Sequence, residues 1–286
     1  MSTVFVLGAG TVGYATGVAL SQRGHQVEFV EALASRREQL AAAGWKTSER
    51  LTPQSGLNTV FLCLPTPAGA DGYDLSELRQ CVLELTDLGT QPGISIDIVV
   101  RSTVPPGTCD TYLRTLIDDR FDSTAAQRVS VVHCPEFLRE AHALDDALNP
   151  RSIVIGSADP SARERVAALM ASGDTPLEVF DTATAAELVK CAHNAYNAAK
   201  ISFWNEIDVL ARRVQVDGHS IARVVSHTAE ASWNPAYGTR GGAAYGGACL
   251  PKDVLGLIAA FRSLGVDPVV LSAVHERNAL MAADPP

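Results

Sequence analysis

The chain has no basic run. Its 286 residues carry 23 Lys and Arg against 32 Asp and Glu, a formal charge of −9. That excludes the phosphate-meeting surface of a nucleic-acid binder. No apolar stretch approaches the length that crosses a bilayer, so no membrane partner is expected. No charged leader precedes "MSTVFVLGAG", which runs straight into a strand and a glycine turn, and the expected location is therefore cytoplasmic. Internal repeats and low-complexity segments are also missing. Of the six cysteines none forms a C-x-x-C pair, and no His stands at zinc-finger spacing, so no metal site is expected. What is there is a soluble globular balance, 47% hydrophobic against 19% charged, on a chain long enough for two cores.

Short β-rich runs alternate with helical stretches over roughly the first 180 residues. The runs are 3–7, 26–30, 59–64, 96–100, 129–133, 152–156 and 177–180, several of them continuously apolar. Strands buried on both faces of a parallel sheet read this way. Helix-like segments at 35–43, 75–87 and 160–171 fall between them. The alternation predicts an α/β fold, a Rossmann-type doubly wound, mainly parallel sheet. The pattern then changes. Thr184 and Glu187 have the spacing of a capping box, and neither Gly nor Pro occurs from there to Gln215. A helix of that length would extend about 45 Å. The expected division is 1–183, a nucleotide-binding domain, and 184–286, a long helix with a smaller all-helical dimerisation domain. An isolated helix of that length would expose an apolar face, so a homodimer through it is expected.

In "VFVLGAGTVG", Gly8, Gly10 and Gly13 have G-x-G-x-x-G spacing between a strand and a helix. Gly8 permits the tight turn, Gly10 lets backbone approach a pyrophosphate, and Gly13 allows close helix–strand packing; Thr11 and Val12 open the helix whose positive end faces the phosphates. Glu31 ends the second strand, where an acid meets the adenosine ribose and repels a 2′-phosphate. NAD is therefore the expected cofactor, with Arg36 close by.

Polar residues cluster where further strands end, which is the ligand edge of an open α/β sheet. "LPTP" brings Pro65 and Thr66, and "RSTVPPGT" brings Thr103. "CPEFLREA" holds Glu136 and Glu140, which share a face if the segment is helical. In the long helix Lys190 and Asn194 are i, i+4 neighbours, suited to stabilising an oxyanion. Five cysteines sit in apolar surroundings and read as small core residues. Cys249 does not: in "YGGACLPKD" it stands behind glycines and ahead of charge.

Together "VLGAGTVG", "LPTP", "STVPPGT", "PEFLREA", "ELVKCAHNAYNAAKISFWNE" and "YGGACLPKD" resemble the UDP-glucose/GDP-mannose dehydrogenase family over nearly the whole chain. Such enzymes oxidise a primary alcohol of a nucleotide sugar to a carboxylate with two NAD+. The resemblance makes Cys249 the nucleophile, Lys190 and Asn194 the oxyanion-stabilising groups, and Asp253 the residue that orients water. It pairs Glu140 with Thr103 in thioester hydrolysis. It lines the substrate site with Glu136, Phe137, Leu138, Tyr245, Gly246 and Trp233, and it implies the same dimer.

Departures accompany the likeness. Relatives continue into a further α/β domain that grips the nucleotide, whereas this sequence stops at Pro286. They usually read Arg-Ile-Gly where Trp233, Asn234 and Pro235 stand here, and Ala141, Ala244 and Ala248 replace usual Gly, Gly and Ser. The expectation is NAD-linked oxidation of a small-molecule alcohol, a nucleotide-sugar-like compound, a nucleotide or something smaller. Two alternatives stand beside it: a two-electron alcohol or β-hydroxyacid dehydrogenase, and a non-catalytic NAD-binding scaffold.

Overall fold

The structure, a computed structural model, describes residues 3–283, the side chains of 124 and 125 excepted. Two compact units meet at His193/Asn194, inside one helix.

The first unit is built on β1 (Thr3–Leu7), β2 (Gln26–Val30), β3 (Lys46–Ser48), β4 (Gly56–Leu62), the hairpin β5–β6 (Ala68–Gly69 and Gly72–Tyr73), β7 (Ile94–Val100), β8 (Val129–His133), β9 (Ile153–Gly156) and β10 (Leu177–Phe180). Its helices are α1 (Thr11–Gln22), α2 (Ala34–Ala42), α3 (Ser76–Gly89), α4 (Arg114–Arg120), α5 (Ser123–Ala126), α6 (Ala143–Leu148) and α7 (Pro160–Met170). A π-helical turn, Thr108–Leu113, leads into α4. Apart from the hairpin, the strands form one sheet in the order β10-β9-β8-β7-β4-β1-β2-β3. Alternation sorts each apolar strand onto two cores: Val4 and Val6 pack with Leu20, Phe29 and Phe61 on one face, Phe5 and Leu7 with Leu78, Ile98 and Leu113 on the other. Burying each such side chain stabilises the sheet by roughly 1.5–3 kcal/mol.

Every pairing in this sheet is parallel except β8 with β9, which meet at the single pair His133–Gly156. Side chains close that seam. Arg165 of α7 donates twice to the buried Asp97 of β7, at 2.7 and 2.8 Å, and Ser157 Oγ donates to Val131 O at 2.8 Å.

α8 (Ala183–Arg213) runs unbroken through the boundary between units. The capping box expected of Thr184 and Glu187 does not form. Thr182 Oγ1 accepts the Ala185 N–H at 3.3 Å, and Asp110 Oδ2 accepts both the Thr184 N–H and its hydroxyl. Glu187 is instead fully buried and accepts the N–H groups of Gly107 and Cys109 at 2.6 and 2.7 Å, capping the π-helical turn. Its carboxyl is pushed up, chiefly by burial. Ala183, Ala186, Glu187 and Lys190 are all buried, and the first compact unit includes this start of α8 as far as His193.

In the second unit, α8 continues, followed by α9 (Gly218–Thr228), α10 (Glu230–Trp233), α11 (Leu250–Ser263) and α12 (Val269–Ala283). Its small core joins Ile258, Phe261 and Leu271 to Phe203 and Leu210 of α8. Glu206 caps α12 by accepting the Val270 and Leu271 N–H groups at 2.8 and 3.0 Å. Among the described residues no helix is long and apolar enough to cross a membrane.

Candidate active site

Strand order reverses at β1, which lies between β2 and β4, and the crevice beyond the carboxyl ends of these strands is where ligands sit in such sheets. Gly8 follows β1 with φ +83°, and a Cβ there would stand 2.6 Å from Cys63 O. A Cβ on Gly13 would stand 1.8 Å from Gly8 O, so both positions are closed to any side chain. Gly10 is different: a Cβ on it would meet nothing within 4 Å. Open space over the central glycine, at the start of α1, is what a pyrophosphate needs. Glu31 braces the turn, its carboxylate accepting the Ala9 N–H at 2.8 Å and the Leu33 N–H at 2.9 Å. Arg36 Nε donates to Ala9 O at 2.9 Å, and its guanidinium lies 5.5 Å from the centre of the Tyr14 ring. These residues fit a dinucleotide. Gly10, Thr11, Tyr14 and Arg36 line a cleft of about 860 Å³ together with Glu140 and Ala141.

The loops after β4 and β7 are stitched together. Thr66 Oγ1 donates to Thr103 O at 2.7 Å, and Ser102 Oγ donates to Leu64 O at 2.6 Å while accepting the Leu64 N–H. The Thr66 hydroxyl proton thus holds a loop. Pro65 is exposed and Thr103 half-buried.

Segment 134–139 is not helical, because Pro135 interrupts it and Glu136 accepts the Leu138 N–H at 2.5 Å. Glu136 and Glu140 therefore do not share a helical face. Glu136 turns to Lys190, whose ammonium donates to Glu136 O at 2.6 Å and to Glu136 Oε1 at 2.8 Å. Lys190 is only 4% exposed, and it also lies 5.5 Å from the centre of the Phe137 ring, which packs on His193. Glu140 stays outside this group, opening a 3-10 turn beside the glycine loop. Arg139 pairs with Asp146 and with neither glutamate. Leu138 packs against the small cluster of Ala15 and Ala19 of α1 with Ala143 and Ala147 of α6.

Sequence alone left Arg101 unremarked. It is 5% exposed and donates to Cys134 O and Pro135 O, setting the turn from which Glu136 projects. Its one signal was a charge directly after the apolar end, Ile98–Val100, of a strand.

In the second unit, Cys249 is the N-cap residue of α11, and Asp253 lies in that helix's first turn with its N–H on Cys249 O at 2.9 Å. The preceding loop is clamped by Asn278, which accepts the Tyr245 N–H at 2.7 Å and donates to Tyr245 O at 3.1 Å. A Cβ on Gly246 would meet nothing within 4 Å. Asn194, Asp253 and Trp233 are exposed, and Lys252 pairs with Asp253 at 2.8 Å.

All six thiols are free, and Cys249 is the exposed one. Burial pushes Cys63 and Cys81 up to about 12, and Cys109, Cys134 and Cys191 upward as well.

Residues 47–172 match the NAD binding domain, and residues 184–280 the central domain, of the UDP-glucose/GDP-mannose dehydrogenase family. UDP-glucose 6-dehydrogenase of Pseudomonas aeruginosa is 32% identical over 96% of this chain and 64% of its own length. GDP-mannose 6-dehydrogenase of the same organism is 30% identical, over 96% and 68%. The chain thus spans about two thirds of the relatives it matches. The crystal structure of a ternary complex of GDP-mannose dehydrogenase from Pseudomonas aeruginosa superposes with a TM-score of 0.83 at 27% identity, covering 97% of this chain and 68% of that one. With both domains matched in order on a doubly wound sheet, this chain belongs to the UDP-glucose/GDP-mannose dehydrogenase family and carries its NAD-binding domain.

Proposed function

We propose that the chain oxidises a primary alcohol to a carboxylate in two hydride transfers, through a covalent intermediate on Cys249. The observation that carries the proposal is the contrast among the thiols. Cys249 alone is exposed, at a helix N-terminus where developing negative charge is stabilised, behind a glycine that leaves room for a substrate. Gly8, Gly10, Thr11, Val12, Gly13, Glu31, Arg36, Pro65, Thr66 and Thr103 are the proposed NAD contacts. Bound NAD+ accepts the hydride in each oxidation.

Loss of the first hydride and a proton leaves an aldehyde, which has no second hydride to give until a nucleophile adds. The Cys249 sulfur adds to the carbonyl carbon, and the oxygen takes a proton, forming a thiohemiacetal. Loss of the second hydride gives a thioester, and water cleaves it to the carboxylic acid and the free thiol. Oxygen carries negative charge during addition and during hydrolysis. Lys190 and Asn194 are the proposed donors to it; one such donor is worth about 3 kcal/mol. Asp253 is proposed to orient the water. For the carboxylate that assists hydrolysis with Thr103, the contact with Lys190 favours Glu136 over Glu140.

The proposed substrates are nucleotide sugars, nucleotides or smaller alcohols. Trp233 is 63% exposed, and its ring offers stacking where relatives' arginine offers charge. A homodimer through α8 is proposed because Tyr196 and Ile201 leave 64% and 62% of their surface open on it.

The test is a panel of UDP-glucose, GDP-mannose, free nucleotides and sugars assayed for NADH release. Two NADH per carboxylate, with turnover abolished in Cys249→Ser, is the expected result. One NADH per product would replace the proposal with a two-electron dehydrogenase, and NAD binding without turnover of any member would leave a scaffold.

A further inference from the structure

Three side chains distant in sequence meet where β8 ends. Cys109 of the π-helical turn, His133 of β8 and Glu187 of α8 each place a ligand atom within 4.8 Å of the other two, and all three residues are buried. His133 is 0% exposed, and neither ring nitrogen has a hydrogen-bond partner. A buried imidazole left in that state is destabilising, and buried polar groups normally find partners.

We propose that Cys109, His133 and Glu187 bind one divalent ion of the zinc class. A thiolate, an imidazole and a carboxylate form the donor set of a borderline-soft cation, whereas calcium and magnesium favour oxygen throughout. Tetrahedral bonds of about 2.0–2.3 Å space ligands roughly 3.3–3.8 Å apart, so the three atoms need to draw in by about 1 Å. Glu187 can do this without losing its present role. Each of its oxygens accepts one backbone N–H, from Gly107 or Cys109, and keeps a lone pair. Those same N–H groups fix the carboxylate's orientation, as outer partners do in metal sites.

The Cys109 thiol, now hydrogen-bonded to Glu187, gives up its proton on binding. The ion's two positive charges are then balanced by one thiolate and one carboxylate. That neutrality matters because Arg101 and Lys190 both face His133, and Glu136 already balances Lys190. Among the described residues no fourth His, Cys, Asp or Glu joins the group, so water completes the shell.

One of the three residues borders a cleft. The cleft, of about 390 Å³, reaches Cys109 and is lined by Asp110, Asp118 and Asp159, with Arg114 the one basic residue on its wall. The ion would join the π-helical turn, the end of β8 and α8, a structural role separate from the proposed chemistry. The spacing rules for zinc motifs miss such a set because its members come from three distant elements.

The test uses the full chain, reduced and chelator-treated, in a Cys249→Ser background that removes the exposed thiol. Cobalt(II) is titrated in while thiolate-to-cobalt absorption is followed, and zinc is then added as competitor. The expected result is one cobalt per chain, displaced by zinc, with a Tm raised by about 5–10 °C at a hundredfold excess over Kd. Cys109→Ser, nearly isosteric, abolishes the absorption and the Tm shift, and so does His133→Asn. If His133→Asn does not fold, Cys109→Ser alone decides. A thiolate–cobalt band that persists in Cys109→Ser, or no stoichiometric binding by the parent, overturns the proposal.

Discussion

The Lys190 ammonium grips Glu136 at two points, the backbone carbonyl at 2.6 Å and the carboxylate at 2.8 Å. One contact survives loss of the side chain and the other does not. Glu136→Gln strands an ammonium that is only 5% exposed, a loss partly offset by the surviving backbone contact, while Lys190→Met strands a carboxylate that is only 14% exposed with nothing to offset it. Removing one partner of such a pair costs about 3 kcal/mol. Denaturant melts of the two variants measure the difference. Under the proposed chemistry both lose at least about a hundredfold in NADH release.

The three glycines of the turn separate binding from folding. Gly13→Ala forces a carbon into Gly8 O and costs at least about 3 kcal/mol, read as a large fall in Tm. Gly10→Ala meets open space and leaves Tm within about 2 °C of the parent. Its methyl occupies the proposed pyrophosphate position, so NAD affinity measured by calorimetry falls at least about tenfold.

Thiol labelling follows from burial. With Cys63 and Cys81 raised to about 12, only about one molecule in 10⁴ carries either thiolate at pH 8. Brief iodoacetamide treatment of the native chain at pH 8 is expected to modify one thiol, identified by peptide mass as Cys249. Denaturant releases the other five. Fast labelling of a second site in the native chain would contradict this burial pattern.

Asp146 supplies a pH dependence. Hydrogen bonds from Arg139 hold its carboxyl at about 2, below the ordinary 3.8, so the ionised form is favoured by folding. Its contribution is complete above the ordinary value and is lost as pH falls through about 2. The Arg139 partner is 64% exposed, so the pair contributes modestly. Thermal melts of the parent and Asp146→Asn are expected to differ at pH 6 and to converge near pH 2. At neutral pH the variant also exchanges the Arg139 amide faster, since that N–H donates to Asp146 at 2.8 Å.

Most of the sheet was legible because a parallel strand covered on both faces announces itself locally. β3 and the two-residue hairpin were not, having too few residues to set a period. The glycine turn was legible because sterics at Gly8 and Gly13 depend on near neighbours. Side-chain partners were harder. Glu187 sits three residues after Thr184, the right interval for a capping box, yet the N–H groups that donate to it are those of Gly107 and Cys109. Glu136 and Glu140 have helical spacing, but Pro135 and the Glu136–Leu138 turn keep the segment extended. Arg139 found Asp146, seven residues on, rather than either glutamate. In each case a polar side chain travelled further than local rules can follow.

The lone antiparallel pair between β8 and β9 divides the sheet mechanically. With so few ladder bonds across that line, β9, α7 and β10 are held to the rest by the Arg165–Asp97 fork, by Ser157, by the Ser130–Asp159 hydrogen bond and by the core that Ile155 and Val166 share with Val99 and Val132. Side-chain contacts rather than backbone ladder therefore set how readily this segment opens. Cutting the fork leaves Asp97 as an uncompensated anion amid β7. Peptides from 153–180 would then gain deuterium early, ahead of those from β1 and β4.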